Sequence, residues 1–462
     1  MFVVKPLSLL LLFIAFFSPQ FLSAQTGDKW TLEKCVDYAI KNNISVRQAG
    51  LTQQTVHNQY LQSGYNLLPQ VDVNANYNFN FGNSLNPVTY TYQKGSSQSA
   101  QMALQGNLTL FNGLQQIFNI EKSRYDLLAS KYDYENAKAN MSLNVASAYL
   151  QILLNKEIVE VAGKQKNLTT AQKGITEKKV AAGVLPESAI YEVDAQLSRD
   201  VANEVNAKGN FNLSVLSLKQ LLQLPDEQAF VIDVPEVNAE NQESIASLTP
   251  VGVYGYAVTT QPSIKSAEAR WKSADMSRKI AWGTITPTIS AFFNLNTGYA
   301  SDYGTPVSYN PVTGAVTYDY LPAGKQLSQL FRQVAGFSLT VPIFGKMQRI
   351  TGIENAKLQQ QMRQLDLDNA KLQLRQTIEQ AYGNALAASE SYVANKKSFE
   401  STTKAYEAVE KRYESGLVTS YDLQQSKNQL NSAESQMIQA KYTYVFRIKI
   451  LDFYQGKAIT LN

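Results

Sequence analysis

The residue types that carry most enzyme chemistry are scarce in this 462-residue chain, which holds one histidine, His57, and one cysteine, Cys35. A zinc centre built on several histidines has too few ligands to draw on, and a Ser-His-Asp arrangement would have a single candidate base. His57 sits in a polar stretch and reads as a structural or surface residue. Cys35 falls in an apolar helical pattern and reads as a small core residue with no intrachain disulfide partner. No glycine-rich phosphate loop follows a strand-like segment. The formal charge of +4 is small for this length and Lys and Arg are not clustered, which argues against nucleic acid as a partner. The expectation is a protein that is not an enzyme and uses neither cofactor nor metal.

The elements that must position any functional side chain begin after residue 24. Residues 1–24 have the layout of a cleaved secretory signal: Lys5, an apolar run from Leu7 to Phe17, and small Ser23 and Ala24 before Gln25. Gln25 stands where a lipoprotein would carry Cys, so no lipid anchor is expected. No later run reaches about 18 apolar residues, so any membrane insertion must use strands. From Val71 to Phe81 the alternation is complete: Val71, Val73, Ala75, Tyr77, Phe79 and Phe81 face one side, and Asp72, Asn74, Asn76, Asn78 and Asn80 the other. That is a two-sided strand of membrane-spanning length. Similar alternation begins near Met102, after Pro287 and near Ala335. Gly/Ser/Pro/Tyr-rich stretches, about 83–99 and 300–328, read as exposed loops. Four strands cannot close a barrel, since single-chain barrels need at least about eight. Several chains must therefore contribute, unless the strands belong to an ordinary water-soluble sandwich.

The chain also repeats itself. Leu108-Thr-Leu-Phe-Asn-Gly113 is echoed by Leu339-Thr-Val-Pro-Ile-Phe-Gly345, and the pairs Tyr149/Tyr382 and Gly183/Gly416 share one offset of 233 positions. Each half reads as helix, strand, loop, strand, long helix, turn, long helix. Repeat one spans 25–223, with an opening helix over 32–66, strands near 69–82 and 101–111, and a helical hairpin with its tip near 183. Residues 224–250 form a proline-bearing linker or small intermediate domain. Repeat two spans 251–462, with strands near 287–299 and 333–343 and a tip near 416. In the last helix Leu423, Leu430, Met437, Tyr444 and Leu451 recur every seven residues, which implies side-by-side packing with a left-handed supercoil. A two-helix coiled-coil spike would show the same stripe.

In order, spacing and duplication these segments resemble the TolC-type outer-membrane efflux and secretion channel family over essentially the whole chain after residue 24. The carriers are Thr31-Leu-Glu-Lys-Cys-Val-Asp-Tyr-Ala-Ile-Lys-Asn-Asn43, Leu67-Leu-Pro-Gln-Val71, the Phe-Gly elements near Phe111 and Phe344, and Arg412-Tyr-Glu-Ser-Gly-Leu-Val-Thr-Ser-Tyr-Asp-Leu423. The resemblance implies a mixed α and β membrane protein: a homotrimer with a twelve-stranded antiparallel β-barrel, four strands per chain, continuing into a long antiparallel α-helical barrel. It implies a channel in the outer membrane with a long periplasmic portion, conducting substrates passively from a periplasmic adaptor protein and an inner-membrane transporter. Gly183, Leu185, Arg412, Gly416, Leu417, Thr419 and Leu423 match the adaptor-docking tips, with Pro186 expected as the first residue of its helix. Asp422 matches an acidic ring that narrows the tunnel, and is equally placed to stabilise a helix N-terminus. Gln425 stands where some members carry a second ring Asp, and Ala189 is the repeat-one equivalent of Asp422, so the gating contact of Tyr413 has no evident acidic partner. The competing reading is a non-conducting coiled-coil spacer or adhesin anchored by its strands in the outer membrane.

Overall fold

The computed structural model describes residues 29–85, 90–225, 230–235, 245, 248–313, 316–457 and 460. The signal segment lies outside the described residues, as does much of 224–250. In chain order the elements are α1 (Leu32–Asn42), α2 (Ile44–Tyr65), β1 (Gln70–Leu85), β2 (Tyr92–Phe111), α3 (Gln115–Ala181) and α4 (Ser188–Leu222). They continue as α5 (Pro250–Thr260), α6 (Pro262–Gly283), β3 (Thr288–Ala300), β4 (Gly304–Tyr309), β5 (Val316–Tyr320), α7 (Ala323–Gln329), β6 (Arg332–Thr340), α8 (Gln348–Glu414) and α9 (Ser420–Tyr454).

Strands β1, β2, β3 and β6 form one antiparallel sheet in that order. The register places Val71, Gly106, Phe293 and Ala335 in one cross-strand row and Asp72, Gln105, Asn294 and Val334 in the next. Since successive residues of a strand point to opposite faces, one face is apolar and the other rich in amides. Gly106 is required by this packing: a Cβ there would lie 2.0 Å from the Phe293 ring, which covers the glycine. The first hairpin is longer than its composition implies. Gly95, Ser96 and Ser97 pair with Gly82, Phe81 and Asn80, so an unbroken ladder overrides three poor strand formers. At the other edge β6 stops at Thr340, short of the expected 343, because Pro342 has no N–H to donate.

The 300–328 stretch is not an unstructured loop. It holds the β4–β5 hairpin and the short helix α7, whose buried Gln326 accepts from the Ala300 amide (2.9 Å) and donates to the Leu321 carbonyl (2.7 Å). The amide side chain thus occupies the β3 edge beyond the end of β6. The opening helix over 32–66 is likewise corrected to two helices, α1 and α2. Asn43 is extended between them (φ −62°, ψ 131°), accepts from the Ser45 amide at 2.9 Å and donates to the Leu221 carbonyl at 3.0 Å. A capping asparagine with a tertiary partner ends one helix and starts the next.

Helices α3 and α8 each run for 67 residues and α4 and α9 for 35. At 1.5 Å per residue the longer pair reaches about 100 Å. Near the sheet α2, α3, α6 and α8 lie side by side; toward the far ends of the long helices the row is α4, α3, α9 and α8. The seven-residue stripe of α9 is packed: Leu423, Tyr444 and Leu451 are buried, and Leu430 and Met437 half-buried. The main core gathers around fully buried Tyr149, whose hydroxyl donates to the Asp233 carbonyl at 2.6 Å. Trp30 pairs in parallel with Ile232, which ties the described part of 224–250 to the residues just before α1. Cys35 lies in this core, and burial pushes its thiol up to about 12.

Candidate functional site

Both helical hairpins end in the same turn. After α3, Gly183 takes φ +73°, its amide bonds the Val180 carbonyl (2.9 Å) and the Val184 amide bonds the Lys179 carbonyl (2.9 Å). After α8, Gly416 takes φ +75°, its amide bonds Tyr413 (3.0 Å) and the Leu417 amide bonds Arg412 (2.8 Å). This left-handed closure satisfies the last helical carbonyls and needs glycine. Val184 and Leu417, the residues that follow, are 68% and 70% exposed at the ends of the molecule. Leu185 is only half-buried, so Val184, not Leu185, is the geometric counterpart of Leu417. The shared offset of 233 carries that correspondence in the sequence.

The returning helices start differently. Thr419 caps α9: its hydroxyl accepts from the Asp422 amide (3.2 Å), and its own amide and hydroxyl donate to Asp422 Oδ2 (3.0 and 2.7 Å). The Thr419 hydroxyl, then its amide, hold the exposed Asp422 carboxyl below its ordinary range, with Arg412 adding to the effect. Asp422 therefore stays anionic at an exposed tip. In the first hairpin Pro186 lies outside the helix, two residues before Ser188, and its carbonyl accepts from the Ala189 amide at 3.1 Å. Glu187 occupies the cap without a side-chain hydrogen bond, and Ala189 is buried.

Tyr413 faces the first hairpin. Its hydroxyl accepts from Gln172 at 3.5 Å, and the Lys179 ammonium lies 5.1 Å from its ring centroid. Gln425 is exposed on a groove between α4 and α9 that also receives Glu192, Arg199 and Tyr421. Ser420 crosses beside this groove, donating to Glu192 at 3.1 Å. Leu423 is buried, so it holds the tip rather than presenting a surface. Sequence reasoning missed Glu192 and the buried Lys427, which donates to the Thr169 hydroxyl at 3.1 Å, because their partners come from the other hairpin. His57 is exposed on α2, and among the described residues no group of three His, Cys, Asp or Glu side chains is arranged to hold a metal ion.

At the opposite end the sheet exposes its apolar face, with Phe79 at 60%, Phe337 at 77% and Leu339 at 65%. Among the described residues no helix is long and apolar enough to cross a membrane.

The family model for outer membrane efflux proteins matches residues 35–223 and 253–447. The outer membrane protein TolC of Escherichia coli is 23% identical over 418 residues, covering 87% of this chain and 78% of TolC. A solved structure of CusC, reported in connection with folding and transmembrane channel formation, superposes with TM-score 0.75 at 15% identity, covering 94% of this chain and 96% of its own. The open state of the Neisseria gonorrhoeae MtrE outer membrane channel superposes with TM-score 0.72 at 21% identity, covering 93% and 90%.

Proposed function

The chain belongs to the outer membrane efflux protein family, a family of channel proteins, and from that premise we propose that three copies assemble into one passive export channel. Its place is the outer membrane, with the long helices in the periplasm. The observation that carries the reading is the sheet: four antiparallel strands with one apolar face and open edges at β1 and β6. Unpaired backbone groups in lipid cost several kcal/mol each, so those edges must find partners. Joining β1 of one copy to β6 of the next gives twelve strands and no edge, with lipid against the apolar face and the amides around a wet lumen.

The helices support the same count. A row of four at each level becomes twelve in three copies, and both open sides of the row carry exposed apolar residues. On α8 these are Leu358, Leu365 and Leu372, seven residues apart; on α2 and α4 they include Leu51 and Leu213. Equal helix lengths and matched tip turns support a duplication of 25–223 in 251–462 around the 224–250 linker. The two tips, with Val184 and Leu417 outermost and Gly183, Leu185, Arg412, Gly416 and Thr419 shaping them, form the rim on which a periplasmic adaptor docks. Through it an inner-membrane transporter supplies the energy. Three Asp422 carboxylates about one axis would attract cations at the mouth.

Single-channel recording in planar bilayers tests the reading. The expected result is a steady conductance with cation preference that Asp422→Ala reduces several-fold without loss of the trimer. Absence of current would contradict a channel and favour the spacer or adhesin.

A further inference from the structure

The sheet leaves two edges bare, and they differ in length: β6 covers Arg332–Thr340, whereas β1 runs from Gln70 to Leu85. Direction alternates along the order β1, β2, β3, β6, so β6 of one copy and β1 of the next would meet antiparallel. Two conditions restrict their register. Unpaired backbone in lipid is costly, so all of β6 must find a partner, with Thr340 no lower than Gln70 and Arg332 no higher than Leu85. Odd-numbered residues of both strands, Val71 and Ala335 among them, share the apolar face, and a slip by one residue would turn that face into the lumen. Ala335 can then lie opposite Ala75, Tyr77, Phe79 or Phe81 of the next copy, and opposite no other residue of β1.

Barrel geometry narrows the choice. The row Val71, Gly106, Phe293, Ala335 crosses the strands at right angles, and the further along the next β1 it re-enters, the more the strands tilt. Four strands about 4.8 Å apart, with a rise of about 3.4 Å per residue, give a tilt of about 35° for Ala75, about 45° for Tyr77 and about 55° or more for Phe79 and Phe81. Membrane barrels tilt by about 35–45°, which leaves Ala75 and Tyr77. Side-chain size decides between them. Large and small residues alternate along the rows Val71–Gly106–Phe293–Ala335, Leu108–Ala291–Phe337 and Tyr77–Ala100–Tyr299, although not along those through Leu104 and Ile289. The alternation is steric, since the Phe293 ring lies over Gly106. Opposite Tyr77, the first row continues as Ala335–Tyr77–Ala100 and the second as Phe337–Ala75–Met102, with the alternation unbroken from copy to copy. Opposite Ala75, two alanines would meet in one row and Phe337 would meet Val73 in the other, a gap beside a crowded pair.

We propose that β6 of one copy joins β1 of the next in the single register that sets Ala335 beside Tyr77 and Phe337 beside Ala75. The inference rests on the shared-barrel reading above and adds which residues of the two edges meet. On the amide face Arg332 then lies opposite Asn80 and Thr340 opposite Asp72. Pro342, which has no N–H, falls opposite Gln70, where β1 begins, so both strands stop at one level on the helix side. On the other side β1 continues past β6 to Leu85, beside the place where Gln326 of α7 holds the edge of β3.

Paired cysteines in the full chain, oxidised in the outer membrane and resolved on denaturing gels, test the register. Directly opposite Cβ atoms lie about 4.5–5.5 Å apart and diagonal ones about 7–8 Å, so a disulfide forms readily only across the true pair. The native thiol of Cys35 is fully buried and provides the blank. Ala335→Cys is combined in turn with Ala75→Cys, Tyr77→Cys, Phe79→Cys and Phe81→Cys. Bonding between chains is expected several-fold faster with Tyr77→Cys than with any of the other three. If Tyr77→Cys does not assemble, Phe337→Cys decides the matter, and is expected to bond several-fold faster to Ala75→Cys than to Val73→Cys. The register is overturned if another partner bonds to Ala335→Cys as fast as Tyr77→Cys does, or if Phe337→Cys prefers Val73→Cys. If no pair bonds between chains although every variant reaches the outer membrane, the shared barrel fails and the register with it, an outcome distinct from bonding in a different register.

Discussion

The sheet and the hairpin tips both expose apolar side chains, but in different quantity and order. At the sheet the exposure is a continuous face, renewed at every second residue from Val71 to Phe81 and continued by Leu104, Phe293 and Phe337. At the tips the turns present two knobs, Val184 and Leu417, each on a glycine, with Tyr191 and Tyr421 exposed at the start of the helices that follow. A continuous face gains free energy in proportion to its area and calls for a permanent apolar surround, whereas two small knobs suit a contact that is made and released. The sheet reads as the anchored end and the tips as the working end.

Charge placed on the sheet should break the comparison most severely. Phe337→Arg on the apolar face is expected to destabilise the membrane-embedded trimer by about 2–4 kcal/mol per chain, whereas Asn294→Arg on the amide face should cost far less. Denaturant titration of the protein in lipid vesicles would measure both, and equal losses would mean that the faces are wrongly assigned. At the tips, Gly183→Val and Gly416→Val force a branched side chain into the left-handed region and should each cost about 1–2 kcal/mol. Similar losses at the two sites would establish the turns as equivalent; a loss at one alone would separate them. Thr419→Ala, which removes a cap, should cost about 1 kcal/mol, and Glu187→Ala less than about 0.5.

The smallest effect concerns pH. The folded pKa of Asp422 lies below its ordinary value of 3.8, so its charge, and the capping it supports, are fully present above that value and are lost only as pH falls through the lower folded one. Cation preference should therefore persist as pH is lowered through 3.8. Reversal potentials across an imposed salt gradient would read this, and loss of preference well above pH 4 would show that another group sets it.

Much of this was legible in the residues, for reasons that differ from element to element. The unbroken period of two from Val71 to Phe81 has no helical alternative, and an apolar repeat of seven in α9 can only be a packed seam. Asp422 is legible as a charge near a helix N-terminus, whereas the capping box it closes with Thr419 comes from the structure. The split at Asn43 was not legible, because the asparagine is held by the Leu221 carbonyl, 178 positions away. Gln326 gave no sign that its amide would finish a strand edge. Lys427 reads as one more polar position on a long helix, and its burial depends on Thr169, 258 positions away. Local pattern reveals periodic elements; contacts between distant segments leave no local trace.

The central claim, that the four-stranded sheet is one third of a shared barrel, is tested most directly by the mass of the protein purified from the outer-membrane fraction in detergent, by light scattering corrected for bound detergent. The account predicts three chains per particle. A single chain would leave β1 and β6 with unpaired edges and would contradict it.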